Sequence, residues 1–169
     1  MLFRSKKLFY LGVEKVAVNT AAIENFDLIK QASALFGAQS VVLAVDIKQD
    51  MFKNYFVYNH AKKKLTKLNP IDFINAAVAH GAGEVVVNSV DRDGTYTGYD
   101  IEYLKKITSN VAVPVVGLGG AGKIDDFVIG AKEAKLSAVA AGSLFVFHGP
   151  HKAVLITYPN KKELRKRLA

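Results

Sequence analysis

Val85, Val86 and Val87 run without a break into Asn88, Ser89, Asp91, Arg92, Asp93 and Gly94, and this join constrains the fold more than any other stretch of the chain. Consecutive β-branched residues mark a strand covered on both faces, as in a parallel sheet flanked by helices. The polar run behind them ends in a glycine, which lets the backbone approach a ligand closely. In isolation such a join is an ordinary polar turn after a strand. Similar joins recur at Asn19-Thr20, at Asp46, at Gly119-Gly120 and at Gly142-Ser143, each at the C-terminal end of a strand-like segment.

Between these joins the pattern alternates. An amphipathic helix over Met1 to Leu11 stops at Gly12, a strand covers Val13 to Thr20, and a helix covers Glu24 to Phe36 before Gly37. A strand over Ser40 to Ile47 carries Asp46 near its end. Lys48 to Leu68 interrupts the rhythm with aromatic and β-branched residues before Asn59-His60, which predicts a β-hairpin laid over the strand ends, a candidate lid. Asn69-Pro70 opens a helix running to about His80. The Glu84 strand follows, then a helix from Asp100 to Ile107 and a strand from Val111 to Gly117. A helix over Asp125 to Ala134, a small-residue strand over Ser137 to Ala141, an apolar LFVF run and a helical basic tail complete the chain.

Alternation of five strands with helices predicts parallel βαβ units. In an open doubly wound sheet, chemistry gathers at one switch point, whereas in a (β/α)8 barrel every strand delivers residues to one rim. The distribution of the joins therefore favours the barrel. The count does not, because a barrel has eight strands and typically ~250 residues, against five strands in 169 residues here. The fold expected is an incomplete (β/α)8 barrel in a single partial domain over 1–169, with 48–68 a hairpin insertion and 150–169 a basic tail.

Half of the residues are apolar, enough for a real core. With no cysteine there are no disulfides, thiolate metal sites or cysteine nucleophiles, which leans towards a cytoplasmic setting. No segment reaches the ~18 apolar residues of a membrane span, and the start is too charged for a secretory signal. The formal net charge of +8 is dispersed over Lys6-Lys7, Lys62 to Lys64 and the tail. Without interleaved aromatic residues that charge does not predict nucleic-acid binding, and it suits an anionic small substrate equally well. His60, His80, His148 and His151 show no paired metal-ligand spacing, so neither a metal nor a cofactor is expected.

Gly94, Gly119, Gly120, Gly142 and Ser143 lie at three successive strand ends, where glycine turns before helices present N–H groups to an anion. The Gly119 cluster lacks the GK[ST] ending of a nucleoside-triphosphate loop. Asp46 and Asp93 lie at neighbouring strand ends and could face each other across the mouth, one of them as a general acid or base.

The segments VVLAVDIK, GAGEVVVNSVDRDGTYTGYD and VPVVGLGGAGK resemble the cyclase subunit of imidazole glycerol phosphate synthase, with similarity from about Gly12 to Phe147. The resemblance implies a (β/α)8 barrel that takes ammonia from a glutaminase partner and closes an imidazole ring on a bisphosphorylated ribosyl substrate in histidine biosynthesis. It implies that Asp46 is the catalytic aspartate of the fifth strand, that Asp93 assists after the sixth, and that Ser89 lines the same region. Gly94, Gly119, Gly120, Gly142 and Ser143 match one phosphate site, and Asn19 and Thr20 match part of the other. Lys15 and Glu84 match charged residues around the barrel bottom where ammonia enters; structural salt bridging is the equal alternative for them.

On that alignment the chain begins just before the fourth strand, so the first-strand aspartate and part of one phosphate site have no counterpart. Two sheet edges and an apolar inner face would then be exposed, inviting self-association, and a truncated or split gene product is the simpler expectation. Asn88 stands where the histidine-pathway proteins usually carry threonine, and HGPHKAVLITYPN departs from their usual ending. Both features resemble a paralogous branch that uses ammonia to amidate surface sugars. A third expectation is an inactive fragment that only binds a glutaminase.

Overall fold

The computed structural model describes residues 2–149 and 151–168. Met1, Pro150 and Ala169, which the expected first helix and basic tail include, lie outside the described residues. Five parallel strands form the centre: β1 (Val16–Val18), β2 (Val41–Gln49), β5 (Glu84–Ser89), β6 (Val115–Leu118) and β7 (Ala138–Val139). They pair in chain order, β1 with β2, β2 with β5, β5 with β6 and β6 with β7. An order that never reverses is that of a barrel wall, not of a doubly wound sheet. Among the described residues the wall does not close, and β1 and β7 are its edges.

The connections are α2 (Thr20–Glu24) and α3 (Asp27–Phe36) after β1, α4 (Pro70–Ala79) after the hairpin, α5 (Ile101–Asn110) and α6 (Ile124–Lys132). Their apolar sides meet one face of the sheet. Leu43, Val45 and Ile47 of β2 and Val85 and Val87 of β5 are buried with Ile29 of α3, Ile74 of α4, Leu104 and Ile107 of α5 and Phe127 of α6. The period of two then sends Val42, Ala44 and Asp46 of β2, Glu84, Val86 and Asn88 of β5, and Val116 and Leu118 of β6 to the other face, the inside of the barrel wall. The valine run predicts cover on both faces, yet Val86 is only half-buried between fully buried Val85 and Val87. Helices cover the outer face alone, and closing strands would have to cover the inner one.

The hairpin consists of β3 (Tyr55–Asn59) and β4 (Lys64–Leu65). β3 pairs antiparallel with the last residues of β2, Ile47 opposite Val57, on the edge that β1 occupies lower down. Two contacts anchor it and a third closes its turn. The Tyr55 ring stacks on Tyr103 of α5 at 3.7 Å between centroids, its hydroxyl donates to the Asp100 carboxylate that caps α5, and Asn59 accepts from the Lys62 N–H to close the turn. At the start of α4, Asn69 accepts from the N–H groups of Ile71 and Asp72, with Pro70 at the first helical position.

Several boundaries differ from expectation. The first strand stops at Val18, because Asn19 and Thr20 already open α2, and the next helix starts at Asp27 instead of Glu24. The segment at Val111 becomes a strand only from Val115, where pairing with Val85 begins. The strand at Ser137 is two residues long, and the LFVF run divides into a single helical turn, α7 (Ser143–Val146), and β8 (Phe147–His148), which pairs with β9 (Ala153–Val154). The tail forms α8 (Lys161–Leu168), held to α6 by Arg167 and Asp125. At the other end α1 (Leu2–Tyr10) is joined to α3 by stacking of Phe9 on Phe36.

A candidate active site at the strand ends

Asp46 sits near the C-terminal end of β2 on the inner face, 6% exposed. The residue after β1 and the last inner-face residue of β5 converge on it. Asn19 donates through Nδ2 to Oδ2 at 2.7 Å, and Asn88 donates through Nδ2 to Oδ1 at 2.8 Å. An ionised carboxylate only accepts, so it dictates that both amides turn their nitrogens inward. Asn88 Oδ1 is thereby left buried without a donor among the described residues. A third element reaches the same carboxylate: His60 Nε2, on the hairpin turn, lies 3.6 Å from Oδ1.

The glycine-bearing loops gather above β5, β6 and β7. Gly98 N–H donates to Gly120 O at 2.8 Å, Tyr96 hydroxyl donates to Ser143 O at 3.2 Å, and Tyr99 hydroxyl to Ala140 O at 2.8 Å. Gly94 and Ser143 are neighbours, since a Cβ on Gly94 would lie 3.7 Å from Ser143 Oγ. Gly119 and Gly120 both have positive φ, and a Cβ on Gly120 would stand 2.2 Å from Gly98 O. These two glycines are required by the close approach of the loops themselves. The N–H groups of Gly122 and Lys123 are taken by the Asp126 carboxylate, which caps α6. Burial, with Asp126 nearby, pushes the Tyr99 hydroxyl above the ordinary phenol range.

At the opposite end of the sheet Lys15 Nζ contacts Glu84 Oε2 at 2.5 Å. Lys15 precedes β1 and Glu84 opens β5, so the pair passes over the inner side of β2 and fixes both side chains on that face.

Apart from Asp93, the site residues expected from sequence fall into three groups. Asn19 and Asp46 meet directly, with Thr20 hydrogen-bonded to Asn19 at 3.4 Å. Ser89, Gly94, Gly119, Gly120, Gly142 and Ser143 share the loop cluster, Ser89 being buried on the helix side and accepting through its carbonyl from the Arg92 and Asp93 N–H groups. Lys15 and Glu84 pair at the bottom. Asp93 is exposed on the rim, and its carboxylate makes no hydrogen bond to Asp46 among the described residues. Sequence reasoning missed His60 and the contact of Asn88 with Asp46. Both follow from strand register, which only the structure supplies: Asp46 pairs with Asn88 across β2 and β5, and Ile47 opposite Val57 puts Tyr58 across from Asp46 with His60 one diagonal step further on the same face. A cavity of about 370 Å³ between the hairpin and α5, lined by Tyr55, Arg92, Asp100 and Tyr103, shares no residue with the Asp46 cluster. Among the described residues no group of three His, Asp or Glu side chains could hold a metal ion, and no helix is long and apolar enough to cross a membrane.

A singly wound parallel sheet with helices on one face, a buried carboxylate on the other and glycine loops at the strand ends defines part of a barrel-type α/β protein. The chain belongs to the Histidine biosynthesis protein family, which matches residues 3–151. It is 44% identical over 163 residues to a Pseudomonas aeruginosa protein named "Putative imidazole glycerol phosphate synthase subunit hisF2", covering 96% of this chain and 65% of that one. It is 43% identical over 163 residues to a Leptospira interrogans protein named "Putative imidazole glycerol phosphate synthase subunit HisF", covering 96% and 64%. It is 44% identical over 142 residues to imidazole glycerol phosphate synthase subunit HisF of Sulfolobus acidocaldarius, covering 84% and 55%. The chain spans a little under two thirds of the length of the first two relatives.

Proposed function

We propose that this chain supplies the catalytic half-wall of an ammonia-using cyclase and lyase of histidine biosynthesis. The observation that carries the proposal is the Asp46 carboxylate, buried on the inner face and fixed through both oxygens, by Asn19 just after β1 and by Asn88 of β5. A carboxylate fixed in this way is suited to general acid–base work, which needs a proton acceptor at one defined position. Asp93 on the rim is the second acidic group of the mechanism. The loops around Gly94, Gly119, Gly120, Gly142 and Ser143 bind one phosphate of the bisphosphorylated ribosyl substrate, and Asn19 and Thr20 contribute towards the other. Ring closure yields imidazole glycerol phosphate and releases aminoimidazole carboxamide ribotide. Ammonia comes from a glutaminase subunit at the N-terminal ends of the strands and enters past Lys15 and Glu84, in a cytoplasmic complex. The relatives described above carry the name of this synthase, and none of their names points to sugar amidation.

The test joins this chain to the part of the Pseudomonas relative that it does not match and assays ammonia-dependent ring closure. Asp46→Asn should reduce turnover by about 100-fold or more. Undiminished turnover would reject Asp46 as the acid–base group, and absence of turnover in the unsubstituted assembly would favour a fragment that only binds a glutaminase.

A further inference from the structure

Asp46 has a problem that its two amide partners do not solve. A buried general base that does not hand its proton on to the leaving group has to return it to solvent before the next turnover, and asparagine amides do not exchange protons on a catalytic timescale. Only one titratable side chain among the described residues approaches the carboxylate: His60, with Nε2 3.6 Å from Oδ1. Its Nε2 faces the carboxylate while the side chain as a whole is 57% exposed. Its position is fixed by more than that contact. Tyr58 meets the ring edge-on at 5.0 Å and 89°, the Lys48 ammonium lies over the Tyr58 ring at 5.4 Å, and the hairpin that carries His60 is pinned to α5 through Tyr55. The charged groups that the hairpin and β2 bring to this side are Asp46 at the imidazole and Lys48 on Tyr58, while Lys62 and Lys63 follow His60 in the turn and Lys64 opens β4, all three exposed.

We propose that His60 is a positioning and proton-relay residue for Asp46, connecting the buried carboxylate to solvent across the hairpin. The step balances as a proton transfer alone. Asp46 takes a proton from the substrate, passes it to Nε2, the imidazolium releases the Nδ1 proton to water, and tautomer exchange restores the starting imidazole. The gap of 3.6 Å exceeds a hydrogen bond, so transfer requires a small inward movement of the hairpin or one bridging water. The inference rests on the role given to Asp46 above, and its test separates the two.

The contact is tested first on the chain itself, by NMR of its four imidazoles. Asp46→Asn should shift the His60 ring resonances and leave those of His80, His148 and His151 in place; unchanged His60 resonances would overturn the proposal. The relay is tested in the joined assembly. His60→Gln should lower kcat by about 10- to 100-fold with KM nearly unchanged, and His60→Ala should recover rate in proportion to added imidazole. If Asp46→Asn abolishes turnover while His60→Gln leaves kcat intact, the relay fails and the role of Asp46 stands. If Asp46→Asn retains full turnover, both fail.

Discussion

Glycines that look alike in the sequence have different tasks in the structure. At Gly120, φ is +104° and an added Cβ would stand 2.2 Å from the Gly98 carbonyl, whereas at Gly142 an added Cβ meets nothing within 4 Å and φ is −110°. Gly120→Ala should therefore cost about 2–4 kcal/mol in urea unfolding, and Gly142→Ala should stay within about 0.5 kcal/mol. Any loss of phosphate affinity in Gly142→Ala then reports on ligand approach and not on folding. Asp46 was legible from its place at a strand end, because alternation alone predicts which end faces the rim. Its surroundings were not: that Asn88 and His60 share one carboxylate depends on strand register, and register is set by pairing partners far apart in sequence. Lys15 and Glu84 show the same limit. Salt bridging was one of two readings open for them, and the 2.5 Å contact over β2 that realises it follows from the order of three strands. Since Lys15 is half-exposed, Lys15→Met should change stability by less than about 1 kcal/mol. Glutamine-dependent turnover in the joined assembly should nevertheless fall relative to turnover with free ammonia, measured side by side.

Among the elements, the hairpin is the one whose docking chemistry is most exposed to test. Tyr55 donates to the Asp100 carboxylate and stacks on Tyr103. Tyr55→Phe keeps the stacking and removes the donor, so it should cost about 1–2 kcal/mol in thermal or urea unfolding, because Asp100 stays buried with one partner fewer. Alkali should act on the same joint. Burial, together with the Asp100 and Asp72 carboxylates, pushes the Tyr103 hydroxyl from 10.0 up to about 12, and burial with Asp100 raises Tyr55 as well. A group whose folded value is raised contributes stability that is complete below its unfolded value and is lost as pH rises through the folded one. Stability should thus be flat up to about pH 10 and fall between pH 10 and 12, with phenolate absorbance and unfolding followed in parallel. The hairpin and its neighbours were readable from composition, since Asn69-Pro70 and the aromatic run are local signals. The shortened β1 and the division of the LFVF run were not, because pairing and not local propensity ends those elements.

At the scale of the molecule, the outer face of the wall is finished and the inner face is not. Ala17 of β1 and Ala138 of β7 are exposed on strands that have a free edge among the described residues. Exposed edges and apolar sheet faces promote association, so the chain alone should sediment as a concentration-dependent oligomer, and Ala17→Lys should shift it towards monomer. The five-strand count and its order were visible in the sequence because each βα join announces itself. How far the inner face is left open was visible only in the half-burial of Val86 and its neighbours.

The role of Asp46 is decided by ammonia-dependent ring closure in the joined assembly, with and without Asp46→Asn. Turnover that falls by about 100-fold or more on substitution, with folding unchanged by circular dichroism, is the predicted result. Equal turnover in the two proteins would contradict it.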